Sequence, residues 1–432
     1  MLSQADYTVI RTRRGDLFAA NFLTGTLDII DSAIVSDSNE IEPGLLDDKQ
    51  VNLLLERGHL QDESEGQILT LPHLWSEYRD KACVRCYFYV QLTLACNLRC
   101  RYCFQGEGGY PQIQMTVDVL EEVLQVLEGI VRRINNPSRM VVVLYGGEPL
   151  LPTNRGLIEK IFRFCETNRL RVRAISNGVN LPLFFDLLEQ YHDLFEGVTI
   201  TLDGDRSTHD FLRPFANGSG SYDRVVSSIG DAASMGIDVS VRLNVTPDSI
   251  GNLKRHNWRL PGVSYEIHRA EYPVYANSVR FYEILDLCLK GYVDVSEVAL
   301  NQVVYFIHLF ESANSYYPLF SDCFPGSVTL FSPSGSIYCC NEVNDKRTYL
   351  GHVNDDRKSC IREAEGLFSG LSGHPSDSPC LGCPAYPVCG GGCRVRHGIA
   401  SNYKACDYYQ DIVEMLDYYI DWKVNGAAYA YE

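Results

Sequence analysis

The chain has 432 residues, of which 45% are apolar, so it is long enough for two or three domains with their own cores. Its formal net charge of −17 argues against nonspecific nucleic-acid binding, because affinity for phosphate comes from clustered lysine and arginine. No apolar run approaches the roughly 20 residues that span a bilayer, and the N-terminus lacks the layout of a secretion signal, so we expect a cytoplasmic protein that contacts no membrane. In that reducing compartment, its 16 cysteines favour metal or redox chemistry over disulfides.

Residues 1–70 are expected to form a small N-terminal module. Short strands are predicted at residues 7–11, 17–22 and 26–30. A helix is predicted from Asp47 to Arg57, with Asp47 as its cap and Gly58 as its stop. This order resembles the winged-helix-like modules that bind leader peptides in peptide-modifying enzymes, where an extended peptide adds to a sheet edge. The alternative is an extension that only packs on the rest of the protein.

A linker is expected at residues 71–87. The stretch from Pro72 to Arg79 predicts a helix, and Cys83-Val-Arg-Cys86 follows it. Two thiols at this spacing suit cluster ligation or a redox pair, but buried free cysteines also behave as small hydrophobic residues. The role of Cys83 and Cys86 is open between these interpretations.

Residues 88–270 predict an α/β domain, because apolar β-rich segments alternate with helical ones. The six predicted strands are residues 88–94, 140–145, 171–175, 198–202, 239–245 and 263–267, with helices such as 116–133 and 155–167 between them. Such alternation indicates a parallel sheet covered by helices. In barrels built this way, the chemistry lies at the carboxyl ends of the strands.

The first of these strands leads into Cys96-Asn-Leu-Arg-Cys100-Arg-Tyr-Cys103, a loop with three cysteines. Iron–sulfur cubes are normally held by four cysteines, so three would leave one iron open to another ligand. A structural zinc loop or a set of buried thiols is the alternative, although zinc sites favour two paired Cys-x-x-Cys knuckles.

Polar clusters follow the next strands. They are Gly146-Gly147-Glu148-Pro149, Ser176-Asn177-Gly178 and Thr201-Leu202-Asp203-Gly204, followed by His209-Asp210-Phe211-Leu212-Arg213 and then by Arg242 and Asn244 on the fifth strand. Two glycines let a ligand approach the backbone, and a carboxylate beyond them can accept hydrogen bonds from an ammonium group. Short polar side chains such as Ser176 and Asn177 suit ribose hydroxyls. Polar clusters at four successive strand ends behind a three-cysteine loop are not easily coincidental.

The cysteine loop, with Tyr102 before its third cysteine, and these strand ends resemble the radical S-adenosylmethionine (SAM) enzymes. The resemblance implies a partial (β/α)6 TIM-like barrel and a four-iron cluster whose open iron binds SAM and cleaves it to a 5′-deoxyadenosyl radical. It implies that Cys96, Cys100 and Cys103 hold this cluster. It also implies SAM contacts, with the segment 146–149 at the amino group, Arg213 at the carboxylate, and Arg242 and Asn244 near ribose or adenine. The other expected SAM-binding residues are Tyr102, Ser176, Asn177, Thr201 and Asp203.

A helical region at residues 271–320, with helices at 277–290 and 296–310, precedes a cysteine-rich tail at residues 321–410. The tail contains Cys323, Gly335, Cys340, Cys380-x2-Cys383-x5-Cys389-x3-Cys393 and Cys406. Alone, Cys380 to Cys393 would be a fair zinc candidate. The whole layout resembles the SPASM domain, which holds auxiliary clusters in radical SAM enzymes that modify peptides and proteins. Residues 411–432 are expected to form a C-terminal helix, and the stretch 407–422 predicts that it is amphipathic.

The SPASM resemblance implies three four-iron clusters in total. It assigns Cys380, Cys383, Cys389 and Cys406 to the second auxiliary cluster, and Cys323, Cys340 and Cys393 to the first. The fourth ligand of the first cluster is open between Cys339, Cys360 and no protein ligand at all. Neighbours on a strand face opposite ways, so Cys339 and Cys340 could share a cluster only if the chain turns there.

The resemblance implies a radical SAM peptide maturase that abstracts hydrogen from a ribosomally made precursor peptide and installs a thioether or carbon–carbon crosslink. A reducing partner such as flavodoxin or ferredoxin would supply electrons. The alternatives are a sulfatase-type maturase that forms formylglycine, a peptide epimerase, and a non-enzymatic iron–sulfur sensor or scaffold. Sulfatase-type enzymes carry an aspartate directly after the cysteine that matches Cys340, and this chain has Asn341 there. Glu342 is expected to face elsewhere if it lies on a strand, so we favour crosslinking.

Overall fold

The structure is a computed structural model, and it describes residues 2–4, 7–12, 15–37, 40–62, 85–103, 105, 111–134, 137–255, 259–270, 279–299, 301–311, 328–355, 383–389 and 406–425. The predicted helix at 72–79 lies outside these ranges, and so do Cys83, Cys323, Cys360, Cys380 and Cys393. The chain forms two compact units. The first comprises Met1–Ala82, Arg280–Asp322 and Gly373–Glu432, and the second comprises Cys83–Val279 and Cys323–Ser372.

The strands, in chain order, are β1 (Leu2–Gln4), β2 (Tyr7–Arg11), β3 (Leu17–Asn21), β4 (Thr26–Ile30), β5 (Leu60–Asp62), β6 (Cys86–Gln91), β7 (Met140–Tyr145), β8 (Arg171–Ser176), β9 (Phe195–Thr201), β10 (Val239–Val245), β11 (Ser264–Arg269), β12 (Val328–Phe331), β13 (Ser336–Tyr338) and β14 (Tyr349–His352). The α-helices are α1 (Asp48–Glu56), α2 (Val117–Ile134), α3 (Arg155–Asn168), α4 (Phe185–Gln190), α5 (Arg206–Leu212), α6 (Tyr222–Ser234), α7 (Ile250–Leu253), α8 (Phe281–Leu289), α9 (Asn301–Glu311), α10 (Tyr386–Cys389) and α11 (Asp407–Asn425).

In the first unit, β2, β3 and β4 form an antiparallel sheet in chain order, as the breaks between the apolar runs predict. Helix α1 begins where expected, because the Asp47 carboxylate accepts from Gln50 N at 2.7 Å and the Gln50 side chain accepts from Asp47 N at 2.9 Å. Gly58 follows with a φ of +76°, which suits glycine at a helix stop. The predicted small sheet with its helix is therefore confirmed.

The same unit also contains the later helices α8, α9, α10 and α11. The buried Phe22 ring lies edge-on to Phe310 of α9, with centroids 5.9 Å apart. The hydroxyl groups of Thr8 on β2 and Tyr409 on α11 also form a hydrogen bond of 3.1 Å. The N-terminal module thus packs directly on the helices of its own unit.

The second unit is built on a nine-stranded sheet in the order β11-β10-β9-β8-β7-β6-β12-β13-β14. Strands β6 to β11 are parallel neighbours in chain order, which confirms the predicted α/β fold with its six-stranded parallel array. Strand β12 extends the array in parallel beside β6, and β13 and β14 continue it in antiparallel. Sequence patterns did not predict that residues from the tail would join this sheet.

Apolar side chains alternate with polar ones on the later strands of the sheet. On β10, Val241, Leu243 and Val245 are buried, while Arg242 and Asn244 are partly exposed on the other face, as the period of two predicts. The first predicted strand is shifted, since β6 ends at Gln91 and residues 92–94 bond instead to residues 113–115 and 145. None of the helices in the described ranges is both long and apolar enough to cross a bilayer.

Candidate active site at the carboxyl ends of the strands

The three-cysteine loop follows β6 and is bonded to the last residue of α5 and to the segment after it. Arg99 N donates to Pro214 O at 2.8 Å, and Arg101 N donates to Leu212 O at 2.9 Å. Burial raises the pKa of the Cys96 thiol to about 11 and that of Cys100 to about 12. Because iron binds the thiolate form, loading this loop would release protons.

The glycines after β7 pack on this loop. A Cβ at Gly146 would lie 2.5 Å from Thr93 O, and Gly147 N donates to that same oxygen at 2.7 Å. Glu148 N donates to Ala95 O at 2.9 Å. The space that their missing side chains leave holds the backbone of residues 93–95, which lead into the cysteine loop.

Glu148 joins this turn to the end of β8. Its buried carboxylate accepts from Ser176 Oγ at 2.8 Å, from Asn177 N at 2.7 Å and from Leu150 N at 2.8 Å. Burial raises the pKa of Glu148, and these bonds act in the opposite direction. A carboxylate has about four acceptor sites, so these bonds leave room for one more donor.

Asn177 extends this first network to the cysteine loop. Its amide donates to Asn97 Oδ1 at 2.6 Å, and the same nitrogen lies 3.7 Å from Cys96 Sγ. Sequence reasoning gave Asn97 no role. The structure therefore brings together Glu148, Ser176, Asn177 and the first cysteine, as expected for a single site.

A second network centres on the Tyr102 hydroxyl. This hydroxyl accepts from Arg213 Nη1 at 2.6 Å and from Asn244 Nδ2 at 3.2 Å, and it donates to Asp203. Asn244 N also donates to Asp203 Oδ1 at 3.0 Å. Burial would lower the pKa of Arg213, but Cys100, Tyr102 and Asp203 raise it and outweigh that effect, so its guanidinium stays charged.

Arg213 is 6% exposed, and in the part of the chain that the structure describes its Nε has no hydrogen-bond partner. A buried donor left unpaired costs about 1–3 kcal/mol, more when it is charged. An anionic ligand group placed beside this nitrogen would recover that energy. The arrangement thus fits a ligand that carries a carboxylate.

His209 supports this network, although sequence reasoning gave it no role. Asp203 N donates to His209 Nδ1 at 3.2 Å, so the proton of the neutral ring is on Nε2, which lies 3.0 Å from Ser221 Oγ. Ser221 Oγ donates in turn to Arg213 O at 2.7 Å. Burial lowers the pKa of His209 to about 3, and the charge of Arg213 acts in the same direction.

Arg242 belongs to a third cluster and does not join Asn244. Its Nη2 donates to Glu266 Oε2 at 3.2 Å, Ser240 Oγ donates to Glu266 Oε1 at 2.8 Å, and His268 Nε2 lies 3.4 Å from the same carboxylate. Glu266 and His268 are in register with Arg242 and Asn244 on the neighbouring strand. The period of two on β11 could have revealed both residues. Thr201 is buried at the end of β9, in register with Arg242.

The tail cysteines within the second unit follow β13. Cys340 Sγ accepts from Glu342 N at 3.4 Å and from Val343 N at 3.3 Å, and such bonds favour the thiolate that a cluster requires. Cys339 N instead donates to Thr348 O at 2.9 Å. Because β13 ends at Tyr338, the expectation that Glu342 lies on a strand is wrong. Its charge acts on both Tyr145 and His268.

In the first unit, Cys383 lies buried shortly before α10, Cys389 is the buried last residue of α10, and Cys406 directly precedes α11. Cys323, Cys380 and Cys393 lie outside the described residues, so the structure does not describe either auxiliary set in full.

Cys86 is the first residue of β6, about 16 Å from the end of that strand at ~3.3 Å per residue, and burial raises its pKa to about 11. In the ranges covered, no three His, Cys, Asp or Glu side chains converge closely enough for one metal ion.

Comparison with known proteins covers most of the chain. Residues 90–252 match the radical SAM superfamily. A GTP 3′,8-cyclase of Alkaliphilus oremlandii is 29% identical over 37% of this chain, and the match spans 46% of the cyclase. The mycofactocin maturase MftC of Mycobacterium ulcerans is 24% identical over 70% of this chain and 81% of its own length. A cysteine-type anaerobic sulfatase-maturating enzyme of Clostridium novyi is 23% identical over 69% of this chain and 85% of its own.

Two solved structures share the fold. The enzyme anSMEcpe with bound AdoMet matches with a TM-score of 0.56 at 16% identity, over 78% of this chain and 98% of that chain. SuiB from Streptococcus suis matches with a TM-score of 0.51 at 14% identity, over 92% of this chain and 96% of that chain.

Proposed function

We propose that this chain, whose residues 90–252 match the radical SAM superfamily, is a radical SAM enzyme that installs an intramolecular thioether or carbon–carbon crosslink in a ribosomally made precursor peptide. The observation that carries the proposal is that likeness to maturases extends over about 70% of the chain, well beyond the radical SAM domain. The cyclase likeness, in contrast, stops within about a third of the chain.

The site residues support SAM binding. SAM bound to a reduced four-iron cluster supplies the 5′-deoxyadenosyl radical that abstracts hydrogen. We assign Cys96, Cys100 and Cys103 to the cluster. The unpaired Nε of Arg213 suits the SAM carboxylate, and the remaining acceptor site of Glu148 suits its ammonium group. The other SAM contacts in the proposal are Tyr102, Gly146, Gly147, Pro149, Ser176, Asn177, Thr201, Asp203, Arg242 and Asn244.

Two auxiliary clusters complete the proposal, with Cys323, Cys340 and Cys393 at the first and Cys380, Cys383, Cys389 and Cys406 at the second. The two N–H bonds to Cys340 favour it over Cys339 as a ligand. The fourth position of the first cluster is then left to Cys360 or to the thiolate of the substrate. A flavodoxin or ferredoxin in the cytoplasm would supply the electrons.

For the leader peptide, β4 is the favoured edge of the N-terminal sheet. The other edge, β2, contacts Tyr409 of α11. On strand β4, Ile29 has 73% of its surface exposed. The neighbouring Asp28 anchors the strand, because its carboxylate pairs with Arg57 Nε at 2.9 Å and with His59 Nε2 at 2.7 Å. A leader strand added here would pair with a fixed template.

Formylglycine formation is the second candidate. Asn341 cannot accept a proton near neutral pH, which argues against a sulfatase-type reaction. However, the charge of Glu342 acts on both Tyr145 and His268, so the departure at Asn341 alone does not decide the product.

Mass spectrometry after anaerobic co-expression with a small peptide encoded beside this chain tests the proposal. A crosslink makes the peptide lighter by two hydrogens per event and blocks fragmentation between the joined residues. An aldehyde in place of Cys or Ser would support formylglycine, and an unchanged mass with deuterium uptake from heavy water would support epimerisation. Absence of 5′-deoxyadenosine after reconstitution with SAM and dithionite would leave the sensor or scaffold reading.

A further inference from the structure

Tyr145 lies in the second unit and is not among the residues assigned above as SAM contacts. It is the last residue of β7 and directly precedes Gly146. Its side chain is 7% exposed, and its ring lies edge-on to Tyr89 at 5.2 Å. Strand register puts it on the same face of the sheet as Arg242.

The hydroxyl of Tyr145 reaches the loop that follows β13. It donates to Asn341 O at 3.3 Å, across 196 positions of sequence. Asn341 directly follows Cys340, whose sulfur accepts two N–H bonds from residues 342 and 343. This one hydroxyl therefore connects the strand that ends in the Gly-Gly-Glu-Pro turn to the loop that carries a tail cysteine.

Burial keeps this hydroxyl protonated. It raises the pKa of Tyr145, and Glu342 adds to this effect, while Arg242 opposes it. The phenol is therefore neutral and acts as a hydrogen-bond donor to the tail loop.

We propose that Tyr145 is a positioning residue that holds the tail loop 339–343 against the end of β7. It thereby fixes Cys340 relative to the Gly-Gly-Glu-Pro turn. The target residue of a peptide would react between this cysteine and this turn. This assignment rests on the proposed peptide chemistry for its functional consequence, but its structural part can be measured without any peptide.

Tyr145→Phe tests the inference because it keeps the ring and removes the donor. In cluster-free protein, we expect the amides of residues 339–344 to exchange with deuterium about fivefold faster, since a net hydrogen bond contributes about 1 kcal/mol. In the reconstituted enzyme, crosslinked product per 5′-deoxyadenosine should fall by a similar factor.

Tyr265→Phe is a matched control. Tyr265 is 8% exposed, and its hydroxyl donates to Leu260 O at the same 3.3 Å, at the start of β11. This variant should leave both the exchange of residues 339–344 and the product ratio at wild-type values. Wild-type exchange at 339–344 in Tyr145→Phe would overturn the inference, whatever the product ratio. A wild-type enzyme that makes no crosslink would instead overturn the proposed function, with the exchange result still deciding the role of Tyr145.

Discussion

Tyr102 accepts a 2.6 Å hydrogen bond from Arg213 Nη1, and this contact fixes a guanidinium beside the cysteine loop before any ligand binds. The same arginine has its backbone carbonyl held by Ser221 at 2.7 Å. Both ends of Arg213 are therefore oriented by the chain itself. A side chain held in this way binds an anion with little further loss of conformational freedom.

Arg213→Lys should weaken SAM binding to the reconstituted enzyme at least about tenfold, because lysine keeps the charge but cannot bond Tyr102 and a carboxylate through one planar fork. Arg206→Lys is the control, since Arg206 lies on the adjacent helix α5 and pairs with Asp223 at the surface. Exposed pairs contribute little, so its SAM affinity should stay within about twofold. Equal losses in the two variants, measured by equilibrium dialysis, would remove Arg213 from the SAM site.

The auxiliary clusters can be counted. Reconstituted wild-type protein should contain about twelve irons if three cubes fill. Cys340→Ser should lose about four of them, whereas Cys339→Ser should lose none, because only Cys340 Sγ receives the two N–H bonds from residues 342 and 343. Iron and zinc analysis with Mössbauer spectroscopy gives the count. Stoichiometric zinc with about four irons would contradict the auxiliary assignment.

We expect the buried His209 to make the free energy of unfolding depend on pH. Its folded pKa of about 3 lies below the ordinary value near 6.5, so the unfolded chain binds the extra proton between these values. Stability from His209 is therefore present above about pH 6.5 and is lost as pH falls toward 3, by at most about 1.4 kcal/mol per unit. Urea unfolding of cluster-free His209→Gln should show a shallower acid loss than wild type. Parallel curves for the two proteins would contradict this account.

Hydrophobic runs and turn residues in the sequence predicted the strands that such local patterns determine. Residues 140–145 and 239–245 form strands with the predicted bounds, because each is an apolar β-rich run ended by turn or polar residues. The first parallel strand was shifted, because Leu92 and Leu94 are apolar but lie beyond the end of β6, and Leu94 bonds to Ile113 outside the sheet. Hydrophobicity alone does not distinguish these two situations.

Motifs in the sequence singled out residues that the structure brings together, but they did not predict most of the contacts among them. Glu148 and Arg213 were proposed from their motifs, whereas the contact between Tyr145 and Asn341 joins positions 196 apart and leaves no local pattern. The role of His209 depends on burial and on a tautomer that only its neighbours in space determine. Glu342 was misjudged because the chain leaves β13 at Tyr338, two residues before Cys340.

The last prediction concerns the edge of β4. Removing residues 1–70 would expose the rings that Phe22 covers, so loss of peptide binding in that truncation would not identify the leader site. Ile29→Lys is a sharper change, because Ile29 is 73% exposed and needs no repacking, while a peptide strand paired with β4 would place a side chain directly beside it. We expect the affinity for the precursor peptide to fall about tenfold, which corresponds to the loss of about 1.4 kcal/mol of apolar contact, with SAM cleavage unaffected.

Leu183→Lys is the control, because it makes the same kind of apolar-to-charged change at a side chain that is 55% exposed in the other unit, and it should leave peptide affinity unchanged. Fluorescence anisotropy with a labelled precursor measures both, and equal affinities for the two variants would make the N-terminal module a packing element only.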